Sequence, residues 1–153
     1  MGTRSLIGLL SENKKDIKYI YCHFDGYLEG VGNTLATFYK DIEKVKKLIA
    51  LGDLSTLEEK VDPDPNYPHS FDGRYDGSGG CQEDVCLAYE RDRGETGVEA
   101  KITTIDEYEN LAKGCWVEYI YLYVPGKGWE YNTLSDDGFH TLDEGRFKNA
   151  TNN

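Results

Sequence analysis

Long apolar runs are missing from this chain of 153 residues; none approaches the roughly 20 consecutive apolar positions of a membrane-spanning helix. The opening MGTRSLIGLLSENKK holds too short an apolar stretch for a secretory leader, and Leu6 stands where N-myristoylation requires Ser or Thr. The expectation is a soluble cytoplasmic protein with no membrane partner. Basic residues are also scarce, 17 Lys and Arg against 28 Asp and Glu, for a formal charge of −11. A surface of that sign repels a phosphate backbone, which argues against general nucleic-acid binding. It suits contact with a basic protein, including the groove of a nucleic-acid enzyme, where carboxylates can imitate phosphates.

Cysteine is sparse and scattered. Cys22, Cys81, Cys86 and Cys115 form no disulfide framework, and free thiols are expected. Cys81 and Cys86 lack the two-residue spacing of a zinc pair, so neither a metal nor another cofactor is expected. Proline is rare as well, and three of the four residues fall in DPDPNYPHSFDGRYDGSGG (62–80), which reads as a long loop.

What is present is 39% hydrophobic residues and 12 Tyr, enough for one domain over residues 1–153 with its own core. TRSLIGLL (3–10) and IKYIYCHF (17–24) alternate as strands of a hairpin. From Asn33 the period changes to 3.6, and Leu35, Phe38, Tyr39, Ile42, Val45, Leu48 and Ile49 define one long helix over 34–50, with Asn33 as N-cap and Gly52 beyond its end. LGDLSTLEEK suggests a further short helical segment. VCLAYERDR (85–93) reads as a strand, Thr104 and Glu107 have capping-box spacing before a second helix, and residues 115–134 read as a hairpin turned at PGKG. The fold class is α+β: an antiparallel sheet of four to six strands with one long and one or two short helices on one face, and a frayed tail over 146–153.

Candidate site residues gather first at YIYCHFDGYLEGVGNTL (19–35). Gly30, Gly32 and Asn33 stand between a strand and a helix, where backbone N–H groups hold anions. The element lacks the third glycine of the dinucleotide fingerprint and the Lys of a Walker loop. Tyr21, His23, Asp25 and Tyr27 lie beside it. Read as a strand, AYERDRGE puts Tyr89, Arg91 and Arg93 on one face, and paired guanidiniums suit carboxylates or an anionic ligand. Tyr19, Tyr119, Tyr121, Tyr123, Trp129 and Tyr131 could extend a stacking surface. His23 and Asp25 could pair as base and orienting carboxylate, yet no nucleophile accompanies them, so no enzyme is expected.

The segments TRSLIG, IYCHFDGYLEGVGNTL, FY, KVKKLIALGDLSTL and YERDRGE resemble a family of small phage-encoded hypothetical proteins, most closely over 3–55 and 89–95. The resemblance implies an accessory protein made in an infected bacterial cytoplasm, where small binders disable host defence; it assigns no residue a role. The expectation is a non-enzymatic counter-defence protein that sequesters a nucleotide-like signalling molecule through Tyr21, His23, Asp25, Tyr27, Gly30, Gly32, Asn33, Arg91 and Arg93. The alternative is an acidic inhibitor that occupies a basic host protein. The sequence leaves room for a homo-oligomer.

Overall fold

The structure is a computed structural model that describes residues 3–75, 77–135 and 138–142; the tail expected over 146–153 lies outside them. Strand β1 (Ser5–Leu10) occupies the centre of a mixed sheet. It pairs antiparallel with β2 (Asp16–Cys22) as the expected hairpin, Ser5 facing Cys22 and Leu10 facing Ile17. On its other side it runs parallel to β6 (Tyr119–Val124), which turns back through residues 125–127 into β7 (Gly128–Asn132) and then β8 (His140–Thr141). Beyond β2 lie β3 (Leu54–Thr56) and β4 (Leu87–Ala88), and β5 (Lys101–Thr104) pairs with the first half of β2. The α+β class stands, but among the described residues the sheet has eight strands rather than four to six, and it is mixed rather than antiparallel. Residues 54–56, expected near a short helix, are strand.

The edge of β2 therefore forks. Its start, Asp16–Tyr19, belongs to β5, and its end, Cys22, to β3. Between the two partners the Tyr21 N–H would be left unpaired, and the Asp53 carboxylate accepts it at 3.0 Å. Such an orphan donor, if buried, costs about 1–3 kcal/mol, so Asp53 is what makes the fork tolerable.

The long helix expected over 34–50 is broken. A π-helical turn (Leu28–Gly32) runs into α1 (Asn33–Phe38), and α2 (Ile42–Ala50) begins afresh after Asp41, whose side chain accepts the Glu43 N–H. Asn33 thus continues a helix and does not cap one. Side chains satisfy the carbonyls freed at the break: Lys44 Nζ donates to Phe38 O at 2.8 Å, Trp129 Nε1 to Tyr39 O at 2.8 Å, and Tyr123 OH to Lys40 O at 3.2 Å. A local 3.6 period cannot report donors that arrive from strands 80 or more residues away.

Helices cover both faces of the sheet, not one. α1 and α2 pack Leu35, Tyr39, Val45 and Leu48 against Ile7, Ile20, Tyr121 and Trp129. On the opposite face α5 (Ile105–Gly114) lays Tyr108 and Ala112 on Leu6, Ile17, Ile120 and Leu122. Its expected cap is present, Thr104 Oγ1 accepting from Glu107 N at 3.3 Å. The split follows from the strand alternation, which sends Ile20 and Cys22 to one side of β2 and Ile17 and Tyr19 to the other.

The 62–80 loop contains a short helix, α3 (Phe71–Tyr75), and is stitched to the sheet. His69 Nδ1 accepts the Gln82 N–H at 3.0 Å, so the ring proton sits on Nε2, 2.9 Å from Cys86 O. Gln82 in turn donates to Asp64 O and Tyr67 O, both at 2.9 Å. Gly73 is needed because the loop closes on itself: a Cβ there would lie 2.2 Å from Gly80 O. Gly73→Ala is expected to destabilise the protein by about 1–3 kcal/mol, read as a lower urea midpoint, with faster amide exchange at Ser70, whose N–H bonds Gly80 O. An unchanged midpoint would show that the loop opens without cost.

Candidate functional site

After β2 the chain crosses the end of β3, with His23 N donating to Leu54 O and Phe24 N to Ser55 O, each at 3.0 Å. Those bonds lay His23 and Phe24 along the floor of a groove of about 660 Å³. Its walls are Phe71 and Asp72 of α3 and Tyr89 and Arg93 of α4 (Tyr89–Arg93). Phe71 and Tyr89 stack at 5.2 Å with planes 22° apart, and the Arg93 guanidinium lies 5.4 Å from the Phe71 centroid. Arg93 also meets Glu95 at 3.5 Å and remains more than half exposed. A guanidinium laid on an aromatic face is pre-oriented, so less entropy is lost when it grips an anion.

Behind the floor, Tyr21 OH and His23 Nδ1 lie 2.7 Å apart. Burial raises the Tyr21 phenol above its ordinary range, so the phenol keeps its proton. Burial first, and then the charge of Arg4, lower the His23 imidazole, which is neutral near pH 7. With the phenol donating to Nδ1, the ring proton sits on Nε2. The pair offers the groove an orientated, uncharged hydrogen-bonding group.

Three of the nine residues expected from the sequence come together here: His23 and Arg93 line the groove, and Tyr21 positions His23. The others do not join them. Asp25 and Tyr27 bond each other, Tyr27 OH donating to Asp25 Oδ1 at 3.2 Å. The turn amides are consumed internally: Gly30 N donates to Tyr27 O, Val31 N to Asp25 O and Gly32 N to Tyr27 O. Gly30 is required for that closure, since a Cβ would fall 2.3 Å from Asp25 O. Gly32 is buried, with Tyr121 OH 3.2 Å from where its Cβ would be, and Asn33 continues the helix. The anion nest read into Gly30, Gly32 and Asn33 is a packed turn.

Arg91 is turned away from Arg93 because residues 89–93 are helical rather than extended. Period 3.6 puts Tyr89 and Arg93 on one face and Arg91 on the other, whereas period 2 would align all three. Arg91 is anchored inward, Nε to Asp92 Oδ1 at 2.9 Å, one terminal nitrogen to Val61 O at 2.6 Å, the other to Cys86 O at 2.7 Å and Asp92 Oδ2 at 3.1 Å. The aromatic surface divides too: Tyr121, Tyr123, Trp129 and Tyr131 belong to the core under α1 and α2, and Tyr19 to the core under α5.

Phe24, Ser55, Phe71, Asp72 and Tyr89 complete the groove and were not among the expected site residues. Tyr89 had a visible signal, since the strand period and the helix period alike put it on the face of Arg93.

Among the described residues no helix is long and apolar enough to cross a membrane, and no group of three or more His, Cys, Asp or Glu is placed to hold a metal ion. The four cysteines are free, Cys22 and Cys86 buried, Cys81 half-buried and Cys115 exposed. The fold and groove thus define a mixed α+β protein with an aromatic, singly cationic cleft at one end of its sheet. Compared with models of protein families, with curated proteins and with solved structures, the chain matches none.

Proposed function

We propose that this protein binds a flat, anionic, nucleotide-like signalling molecule in the groove between His23 and Arg93, and that it acts by sequestering that molecule. The observation that carries the reading is the Arg93 guanidinium laid over Phe71 beside a neutral, fixed His23. Arg93 supplies a charge-assisted grip for a phosphate, Phe71 and Tyr89 give flat apolar area for a base, and Asp72 accepts from a ribose hydroxyl or an exocyclic amine. The groove is large enough for a nucleotide, within the range of small-molecule sites. The role is read as binding rather than catalysis because the one basic nitrogen of the neutral His23 ring, Nδ1, is taken up by Tyr21 OH, and Ser55 is buried. The setting, a bacterial cytoplasm under phage infection with host defence as the target, rests on the family resemblance of the sequence.

Calorimetric titration with a panel of mononucleotides, cyclic nucleotides and dinucleotides tests this directly. The wild type is expected to bind at least one of them, and Arg93→Ala to weaken that binding about 10- to 100-fold, the size of a hydrogen bond to a charged group. The melting temperature should be unchanged, because Arg93 is largely exposed. If no member of the panel binds, the reading is wrong.

A further inference from the structure

The charge lining the groove says more than that an anion fits. Among the described residues Arg93 is the one cation and Asp72 the one carboxylate in its walls. His23 contributes no charge near neutral pH, since burial and Arg4 both hold its imidazole down. Arg93 is itself partly balanced by Glu95 at 3.5 Å. A whole-chain charge of −11 surrounds the site. Another hollow, lined in part by Gly73 and Arg74 of α3, is more acidic still, with Glu58, Glu83 and Asp84 against Arg74.

We infer that the groove selects a nucleotide carrying a single negative charge, a cyclic phosphodiester, over nucleoside polyphosphates and over uncharged nucleosides. This rests on the binding reading above and adds the ligand's charge class. One phosphodiester meets one guanidinium, and the pair is neutral when desolvated. Each further phosphate charge would have to leave water with no second cation to receive it, opposite Asp72 and inside a negative field. An uncharged nucleoside leaves Arg93 without its anion. Asp72 therefore acts twice, as acceptor for the sugar or base and as the repulsive element that rejects higher charge.

The test is a series that changes charge at constant base: adenosine, cyclic adenosine monophosphate, adenosine monophosphate with close to two charges, and adenosine triphosphate, repeated with guanosine. Titrations use the whole protein at low and at physiological salt. Affinity is expected to peak at the cyclic monophosphate, at least about 30-fold above the triphosphate, and the gap should narrow at higher salt as the field is screened. Asp72→Asn removes the charge and weakens the acceptor for every member of the series alike, so the ratio of triphosphate to cyclic-nucleotide affinity should rise about 10-fold, and an unchanged ratio would overturn the repulsive role of Asp72. Asp72 is exposed, so the variant is not expected to disturb folding. Triphosphate binding equal to or tighter than the cyclic nucleotide would overturn the selectivity and leave the binding reading standing. Equal binding of adenosine would do the same, since charge would not be read. No binding by any member would overturn the selectivity, and no binding by the wider panel above would remove the binding reading as well.

Discussion

Raising the pH beyond about 10 is expected to unfold this protein in one steep step, because its core holds ionisable groups that can stay only in their neutral forms. Tyr39, Tyr108, Tyr121, Cys22 and Cys86 are all fully buried. Desolvation is the leading cause that raises each of them above its ordinary value. The unfolded chain releases these protons near about 8.5 for a thiol and about 10 for a phenol, while the folded chain retains them. Above those values the unfolded state binds fewer protons than the native one, so stability falls as pH rises. It is intact below about pH 8.5 and declines from there by about 1.4 kcal/mol per pH unit for each group released. A typical stability of about 5–15 kcal/mol is then exhausted within one to three units. Tyrosinate absorbance and far-ultraviolet circular dichroism, followed together, check this. Part of the phenol signal should appear only with the loss of secondary structure. If all 12 tyrosines titrated smoothly while the dichroism held, the buried phenols would not be coupled to folding.

Replacing Arg91 by Ala is expected to cost about 3–5 kcal/mol of stability, far more than Arg93→Ala at about 0.5 kcal/mol or less. Asp92 is the reason. Its side chain is 2% exposed and meets Arg91, the Ala88 N–H at 2.7 Å and, at 3.6 Å, His69 Nε2. Without the guanidinium a carboxylate stays buried with its main countercharge gone, and the Val61 and Cys86 carbonyls lose their shared donor. For a chain of this size the loss corresponds to about 6–20 °C in melting temperature. Arg91→Lys should not restore it, because an ammonium cannot reproduce a planar fork that reaches three residues at once. Thermal unfolding of the two variants measures the contrast. Equal, small shifts for Arg91→Ala and Arg93→Ala would show that the Arg91 network adds nothing to the fold. The same comparison separates the fold from the site, since only Arg93→Ala should weaken nucleotide binding at a temperature where both variants are folded.

The two arginines also show how sequence and structure divide the information. The residues of YERDR are equally compatible with a strand and with one helical turn, since five residues are too few for either period to dominate. Ala88 is extended and Gly94 takes a left-handed φ of 78° that closes the turn. Gly94 was visible in the sequence; the inward pull of Asp92 on the Ala88 N–H and on Arg91 was not. In the same way, the strand alternation of IKYIYCHF placed Tyr21 and His23 on one face, as observed in the groove, because that alternation depends only on backbone geometry.

Local chemistry, then, was determined by the sequence alone: the 3–10 and 17–24 hairpin, the Thr104 cap, the PGKG hairpin, the Gly52 helix end and the Tyr21–His23 face all follow from interactions within a few residues. Tertiary structure decided what depends on partners far along the chain. Trp129 and Tyr123 divide the expected long helix by satisfying its freed carbonyls. β6 takes its place beside β1 in parallel and makes the sheet mixed. Phe71 and Asp72 are carried by a loop anchored through His69 to the far side of His23. The physical reason is that a buried donor, acceptor or ring takes whichever partner folding brings within about 3 to 4 Å, and no local pattern encodes that choice.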